Sequence, residues 1–274
     1  MTMQTKKRIL IITNELTPYV ELTDFAEVLN KLSVKIFDAG MEVRIIMPRF
    51  GVINERRHRL HEVVRLSGIN VMVDKDDHPL LIKVASLPNA RLQVYFMDNE
   101  DFFKRKAVFT DEHGNFFDDN DERLIFFSKS ALEIVKKFGW PPDLIHCHGW
   151  MTSLIPMLLK TAYKKEPVFA HSKTIYTTQQ PQFENVIGEN FLKRLMNSVA
   201  VKEKDLEPYK NCCNESLNFG AGKYADVLIH AEPGVNGMMA QFKNTETKQV
   251  IPFESNWLED VESLLELYTS AVEV

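Results

Sequence analysis

The feature that most constrains the fold is an apolar run, a helical stretch and a second apolar run at the start of the sequence. RILIIT (8–13) is a short β-branched run bounded by polar turn residues, the pattern of a buried parallel strand. Helical spacing follows from Asp24 to a glycine stop at Gly40, and EVRIIMP (42–48) is a second run of the first kind. Together they predict a βαβ unit with a right-handed crossover.

The same alternation returns in the second half of the chain. Strands are predicted at 143–147, 173–177 and 226–230, and helices at 120–139, 151–164, near 188–198, from about 234 and over about 256–272. Segments 60–73, 78–86 and 90–98 are instead predicted as strands or short connectors, and 199–219 has weak periodicity. The pattern predicts an α/β fold: a single Rossmann-like, doubly wound, mostly parallel sheet with helices on both faces and a small β excursion around 60–98.

Composition excludes several classes of protein. The formal charge of -5 and the pI near 5.9 argue against a nucleic-acid binder, which normally has a basic excess. No stretch approaches the ~18 apolar residues of a membrane span. Three cysteines without a CxxC spacing do not make a disulfide framework. We therefore expect a reduced, cytoplasmic protein with no membrane segment.

Three predicted strand ends mark a candidate cleft, because open α/β sheets bind ligands beyond the carboxyl ends of their strands. Asn14-Glu15, His148-Gly149-Trp150 and Thr178-Gln179-Gln180 follow the strands at 8–13, 143–147 and 173–177. His146 and His148 share one strand face, but the spacing supplies no third ligand, so we predict no metal and no cofactor. A neutral cleft of this kind also suits a polyol or another small molecule.

A series of ordered motifs resembles the N-terminal, starch synthase catalytic domain of bacterial glycogen synthases and plant starch synthases. They are RILIITNELTP, MPRFGVI, VYFMDNEDFFKR, DDNDERLIFFSKSALE, PPDLIHCHGWMTSLIP, TIYTTQQ and GKYADVLIHAEP, from about residue 7 to residue 240. Members of that family are retaining glycosyltransferases built from two Rossmann domains. The resemblance implies one such N-terminal domain over 1–274, with the helix at about 256–272 packing back onto it. It also implies that the second domain, which carries most nucleotide-sugar contacts, is missing.

The chain departs from the family where the donor diphosphate is expected. The family's Lys-x-Gly-Gly-Leu-Ala-Asp is here Glu21-Leu22-Thr23-Asp24-Phe25-Ala26-Glu27. The glycines would let backbone amides approach the diphosphate, and the lysine would pair with it. At about 4 Å and an effective dielectric near 20 such a pair is worth ~4 kcal/mol, which the acidic residue reverses. Glu21, Thr23 and Asp24 therefore define a degenerate donor-phosphate segment, and Asp24 with Glu27 has the spacing of a capping box.

Other departures from the family pattern also affect residues expected to take part in the reaction. The residues that still match the family pattern lie on the acceptor side. Gly149 replaces an aspartate of His-x-His-Asp-Trp, and Gln179-Gln180 replaces a His-Asn pair. The resemblance implies no catalytic residue and an acceptor-side cleft whose candidate ligand-binding residues are Glu15, Phe103, His148, Trp150, Gln179 and Gln180.

Two function hypotheses follow from the resemblance. The first is a glycogen/starch synthase-like protein that is non-catalytic on its own and binds a glucan chain or a partner protein. The second is an α-1,4-glucosyltransferase using ADP- or UDP-glucose, weakly active or completed by a separate donor-domain chain. Self-association through the face that meets the second domain in the family is a further expectation.

Overall fold

The computed structural model describes residues 6–88, 90–184, 186–234, 237–245 and 248–273. Within these ranges ten strands form one sheet. The strands are β1 (Arg8–Thr13), β2 (Glu42–Pro48), β3 (His61–Glu62), β4 (Ile69–Val73), β5 (Asp76–Ser86), β6 (Gln93–Asp98), β7 (Leu144–His148), β8 (Lys173–Thr178), β9 (Val227–His230) and β10 (Gln249–Ile251).

The sheet order is β10-β9-β8-β7-β1-β2-β6-β5-β3, with β4 pairing β5 off this path. Every pairing from β10 to β6 is parallel. The pairings of β3, β4 and β6 with β5 are antiparallel. The predicted fold class is confirmed: the parallel part is doubly wound about β1. The excursion predicted around 60–98 contains the antiparallel strands β3, β4 and β5, together with β6, which pairs β2 in parallel and β5 antiparallel.

The helices are α1 (Phe25–Asp38), α2 (Glu55–His58), α3 (Glu100–Phe103), α4 (Asn120–Phe138), α5 (Ile155–Lys160), α6 (Phe191–Ser198), α7 (Glu203–Leu206), α8 (Asn214–Tyr224) and α9 (Glu262–Glu273). The helix predicted over 151–164 is wrong in extent: a 3₁₀ turn at Trp150–Thr152 precedes the short α5, which has proline in its first turn. The helix predicted from about 234 is a 3₁₀ segment at Gly237–Gln241.

The last helix begins at Glu262 rather than near residue 256. Residues 255–259 form turns, in which the Asn256 carbonyl accepts from the amides of Glu259 and Asp260. The Asp260 carboxylate then accepts from the Glu262 amide at 3.0 Å, which satisfies one amide at the start of α9. Helix α9 therefore begins later than apolar spacing alone predicts, because polar residues form turns before it.

Helix α9 lies against α1 and β7. Its buried face consists of Leu264, Leu267, Tyr268 and Val272. The Tyr268 hydroxyl hydrogen-bonds His146 Nδ1, and His146 Nε2 contacts the Thr177 hydroxyl. Burial, with a smaller contribution from His148, holds the pKa of His146 well below its ordinary value, so this imidazole is neutral. Contacts between polar side chains, from Tyr268 through His146 to Thr177, thus link the last helix to the middle of the sheet.

Replacing Tyr268 by phenylalanine is expected to lower the free energy of unfolding by about 1–3 kcal/mol, because His146 Nδ1 would remain buried without a partner. Urea unfolding followed by circular dichroism measures the change. Tyr224→Phe is the matched control, since that hydroxyl contacts the Asp205 carbonyl in a half-buried position. Equal effects of the two substitutions would contradict this role for Tyr268.

Candidate functional site

A buried carboxylate occupies the turn between β1 and α1. Glu15 follows the end of β1 and is fully buried. Its Oε2 accepts hydrogen bonds from the amides of Leu22 at 2.9 Å and Thr23 at 2.7 Å, and its Oε1 accepts from the Thr23 hydroxyl at 2.8 Å. The backbone amides before the helix therefore already hold an anion that the chain itself supplies.

Two neighbouring strand ends complete the surroundings of this carboxylate. His148 Nε2 at the end of β7 lies 2.8 Å from Glu15 Oε1, and Gln179 Nε2 after β8 donates to the same oxygen at 2.7 Å. We call Glu15, Thr23, His148 and Gln179 the Glu15 cluster. Three of the candidate ligand-binding residues are thus brought together, as the strand order requires, but they bind one another.

The Glu15 carboxylate is ionised at neutral pH. Burial raises its pKa, while the hydrogen bond and charge of His148 and the hydrogen bonds of Thr23 lower it, and the net result lies below the ordinary value of 4.5. The His148 ring stacks on Phe25, with centroids 4.6 Å apart and planes 17° apart. The cluster therefore consists of polar side chains gathered around one ionised carboxylate at the end of β1.

Because the pKa of Glu15 is lower in the folded protein than in the unfolded chain, its ionisation stabilises the fold above the unfolded value of 4.5. That contribution is lost as pH falls through the lower folded pKa. We expect the Glu15→Gln variant to show a weaker loss of stability below about pH 4.5 than the wild type, measured by urea unfolding across pH. Parallel stability–pH curves for the two proteins would contradict this assignment.

Asp24 does not cap α1, so the capping-box prediction is wrong. The backbone of Asp24 is helical, with φ -60° and ψ -22°, and its side chain makes no capping hydrogen bond. A capping residue normally has extended backbone angles. Here the Thr23 hydroxyl accepts from the Phe25 amide at 3.2 Å, and Glu15 takes the preceding amides. Asp24 is exposed instead, beside Glu21 and Glu27 in a shallow surface depression.

A neighbouring side chain fills the space beside Gly149, where the family has an aspartate. Its backbone has φ 82° and ψ 157°, a region nearly restricted to glycine. A Cβ at this position would lie 1.6 Å from Asn14 Oδ1. Asn14 is fully buried, and its amide has no hydrogen-bond partner within the described ranges. The position of Asn14 at the strand end was predicted from sequence, but its filling of the space beside Gly149 was not.

The other candidate residues lie apart from the Glu15 cluster. Trp150 is buried among the rings of Phe109, Phe116 and Phe183. Phe103 is buried against Phe50, Phe126 and Arg123. Gln180 is exposed, and its Nε2 donates to the Pro233 carbonyl at 3.1 Å. Ligand contact by any of these side chains remains a prediction, and Gln180 is the most accessible of them.

An open cavity of about 380 Å³ lies at the carboxyl ends of β8 and β9, and we call it the strand-end cavity. Its wall is formed by Thr178, Gln179, Gln180, Pro181, Glu215, Asn218, His230, Glu232, Gly234 and Met239. Burial lowers the pKa of His230. Glu215, Asn218 and His230 were not predicted from sequence as wall residues. The position of His230 at the end of a predicted strand was the available signal.

The two histidines of β7 face different partners, His146 toward Thr177 and Tyr268, and His148 toward Glu15. Among the residues that the structure describes, no group of three metal-ligating side chains is close enough to hold an ion. In the same part of the chain, no helix has the length and apolar character needed to cross a bilayer.

Residues 8–246 match the family model of the starch synthase catalytic domain. The chain belongs to this family. It is 34% identical over 222 residues to a glycogen synthase of Chlorobium limicola and 38% identical over 190 residues to one of Chlorobium phaeobacteroides. These alignments cover 81% and 69% of this chain but 45% and 39% of the relatives. The chain therefore spans less than half the length of the curated relatives it matches.

The fold is also that of a solved starch synthase. The catalytic domain of Starch Synthase IV from Arabidopsis thaliana, bound to ADP and acarbose, matches with a TM-score of 0.68 and 18% identity, over 84% of this chain and 45% of that one. The Glu15 cluster and the strand-end cavity of this starch synthase-family chain lie inside residues 8–246, which match the family model. Strand β10 and helix α9, which contributes Tyr268, lie beyond it.

Proposed function

We propose that this starch synthase-family protein binds a glucan chain at the carboxyl ends of its strands and does not itself transfer glucose from a nucleotide sugar. The observation that carries the proposal is the acidic surface of the turn before α1, where Glu21 and Asp24, in place of the family's lysine and one of its glycines, line a depression with Glu27. In the family pattern this segment approaches the donor diphosphate. Here its surface carries three carboxylates, and the amides of Leu22 and Thr23 are bonded to Glu15.

A diphosphate at this turn would meet charges of its own sign. The buried Glu15 is ionised, and Glu21, Asp24 and Glu27 surround the adjacent surface depression. Like unit charges about 4 Å apart repel by ~4 kcal/mol at an effective dielectric near 20. Affinity falls tenfold for each ~1.4 kcal/mol, so a donor would bind here several orders of magnitude more weakly than at a turn with a lysine.

The strand-end cavity has the lining that a sugar chain requires. The Thr178 hydroxyl and the side chains of Gln180 and Asn218 provide polar groups, while Pro181 and Met239 provide apolar surface. No lysine or arginine lines the cavity in the part of the chain that the structure describes. Small-molecule sites combine apolar walls with a few placed polar or charged groups in this way, and Glu215, Glu232 and His230 line this cavity as well. The proposal therefore places a glucan end in this cavity.

Two assays run together test the proposal. The purified protein should co-sediment with glycogen and should transfer no radiolabelled glucose from ADP- or UDP-glucose to it. Gln180→Ala is expected to weaken glycogen binding, whereas Gln93→Ala, on the exposed first residue of β6, should leave it unchanged. Transfer of label by the protein alone, or failure to bind glycogen, would contradict the proposal.

A second candidate is an α-1,4-glucosyltransferase that needs a separate donor-domain chain. It is favoured by the resemblance to glycogen synthases over 81% of this chain and only 45% of the relative. The close pair of Glu15 and His148 at the strand ends fits a retained reaction centre. This candidate predicts label transfer when a donor-domain fragment of a related glycogen synthase is added. The first proposal predicts none in that mixture.

A further inference from the structure

Four exposed arginines on and after α2 form a basic surface on a protein of net negative charge. They are Arg56, Arg57, Arg59 and Arg65. Among the residues that the structure describes, no carboxylate lies within ion-pair distance of their guanidinium groups. Glu55, next to them in the sequence, is instead held by Lys83 at 2.7 Å and by Arg49 at 3.4 Å. The run that contains the four arginines has one acid, Glu62, although the whole chain has a formal charge of -5. The charges of the basic surface are therefore available to an anionic group of another molecule.

The basic surface lies next to the acidic depression before α1. His58, the last residue of α2, packs its ring against Tyr19 with the centroids 4.9 Å apart, and the depression begins within two residues of Tyr19. The exposed carboxylates of this depression, which we call the acidic turn, are those of Glu21, Asp24 and Glu27. Glu27 pairs with Lys31 at 2.7 Å, but Glu21 and Asp24 have no ion-pair partner in the described part of the chain. Opposite charges thus lie on neighbouring parts of the surface without neutralising each other.

Exposed aliphatic side chains accompany both charged surfaces. Val52 and Val64 beside the basic surface are 44% and 77% exposed, and Leu22 within the acidic turn is 37% exposed. Apolar side chains rimmed by charged ones are typical of surfaces that meet another protein. The Asn54 side chain also accepts from the Arg57 amide at 3.0 Å and so caps α2, which fixes the backbone that carries the arginines. The two surfaces are therefore ordered before any partner binds.

We propose that the partner of these surfaces is a second copy of this chain, in a dimer with twofold symmetry. A twofold axis between the two surfaces places the basic surface of one copy on the acidic turn of the other, and the reverse. Both sets of unpaired charges then gain partners in one interface, with the exposed aliphatic side chains between them. This inference does not depend on the proposed function, because it rests on surface charges and not on the strand-end cavity.

Sedimentation equilibrium of the purified protein tests the dimer, and charge-reversed variants locate its interface. We expect the dissociation constant of the dimer to rise about tenfold between about 0.05 M and 0.5 M NaCl, because salt screens exposed charge pairs. The variant Arg56→Glu/Arg57→Glu should be monomeric, and so should Glu21→Lys/Asp24→Lys. An equal mixture of the two variants should form a heterodimer, since each reversed surface then meets its opposite. Lys164→Glu/Lys165→Glu makes the same change of charge at exposed positions elsewhere and should leave the dimer intact.

Several results would overturn this inference. A monomer at every protein and salt concentration would do so, as would a dimer that survives both charge reversals, because its interface would then lie elsewhere. Failure of the mixed variants to associate would also contradict it. Retention of a monomeric wild-type protein on heparin, lost in Arg56→Glu/Arg57→Glu, would assign the basic surface to a polyanion instead. The circular dichroism spectrum checks that each variant is folded, as expected for substitutions at exposed positions.

Discussion

Glu15→Ala is expected to lower the free energy of unfolding by about 3–5 kcal/mol, as the loss of one member of a buried charged network does. The carboxylate accepts five hydrogen bonds from Leu22, Thr23, His148 and Gln179. Its removal would leave two backbone amides and two buried side chains without their acceptor. Urea unfolding measures the loss, with the transition midpoint and slope compared with the wild type.

Two controls separate charge from packing in this experiment. Glu15→Gln keeps the shape but loses the charge and one acceptor, so it should destabilise less than alanine. Glu21→Ala, at an exposed position in the same turn, should change stability by less than about 0.5 kcal/mol. A Glu15→Ala protein as stable as the Glu21→Ala protein would show that the carboxylate does not organise this turn.

Restoring the family's aspartate at position 149 is expected to destabilise the protein by about 2–6 kcal/mol. Part of this comes from forcing a side chain onto a glycine-only backbone conformation, which costs about 1–3 kcal/mol. The rest comes from the clash of the new Cβ with Asn14 Oδ1, because overpacking a buried site typically costs about 1–3 kcal/mol. Thermal and urea unfolding of Gly149→Asp measure the total.

A double-mutant cycle with Asn14 tests whether the clash contributes to this destabilisation. Combining Gly149→Asp with Asn14→Ala should recover the overpacking part and leave the backbone strain, giving a favourable coupling in a double-mutant cycle. Gly68→Asp is the control, since Gly68 also has a positive φ of 79° but has open space around its Cβ position. Additive effects of the Asn14 and Gly149 substitutions would contradict the clash between Asn14 and a side chain at position 149.

The strands were the part of the fold most readily predicted from sequence. RILIIT and EVRIIMP have the boundaries of β1 and β2, because central parallel strands are buried on both faces and appear as continuous apolar runs. The helix after β7 was harder for the same reason. Every residue of α5 except Lys160 is buried, so its sequence shows no amphipathic period that would fix its ends.

The candidate site was predictable in location and not in detail. Strand order alone brings Glu15, His148 and Gln179 together, because they follow the carboxyl ends of the adjacent parallel strands β1, β7 and β8. That Glu15 rather than Asp24 satisfies the α1 amides depends on backbone angles at residue 24 that spacing does not encode. The wall of the strand-end cavity depends on α8, part of which falls in the segment with the weakest periodicity.

The central claim is that the turn before α1 does not hold a donor diphosphate, because its amides are bonded to Glu15 and its surface is acidic. Titration of ¹⁵N-labelled protein with ADP-glucose and UDP-glucose, followed through the amide resonances of Leu22 and Thr23, tests it most directly. The account predicts that both resonances stay in place at every nucleotide-sugar concentration, because both amides are bonded to Glu15. A saturable shift of these two resonances would contradict it.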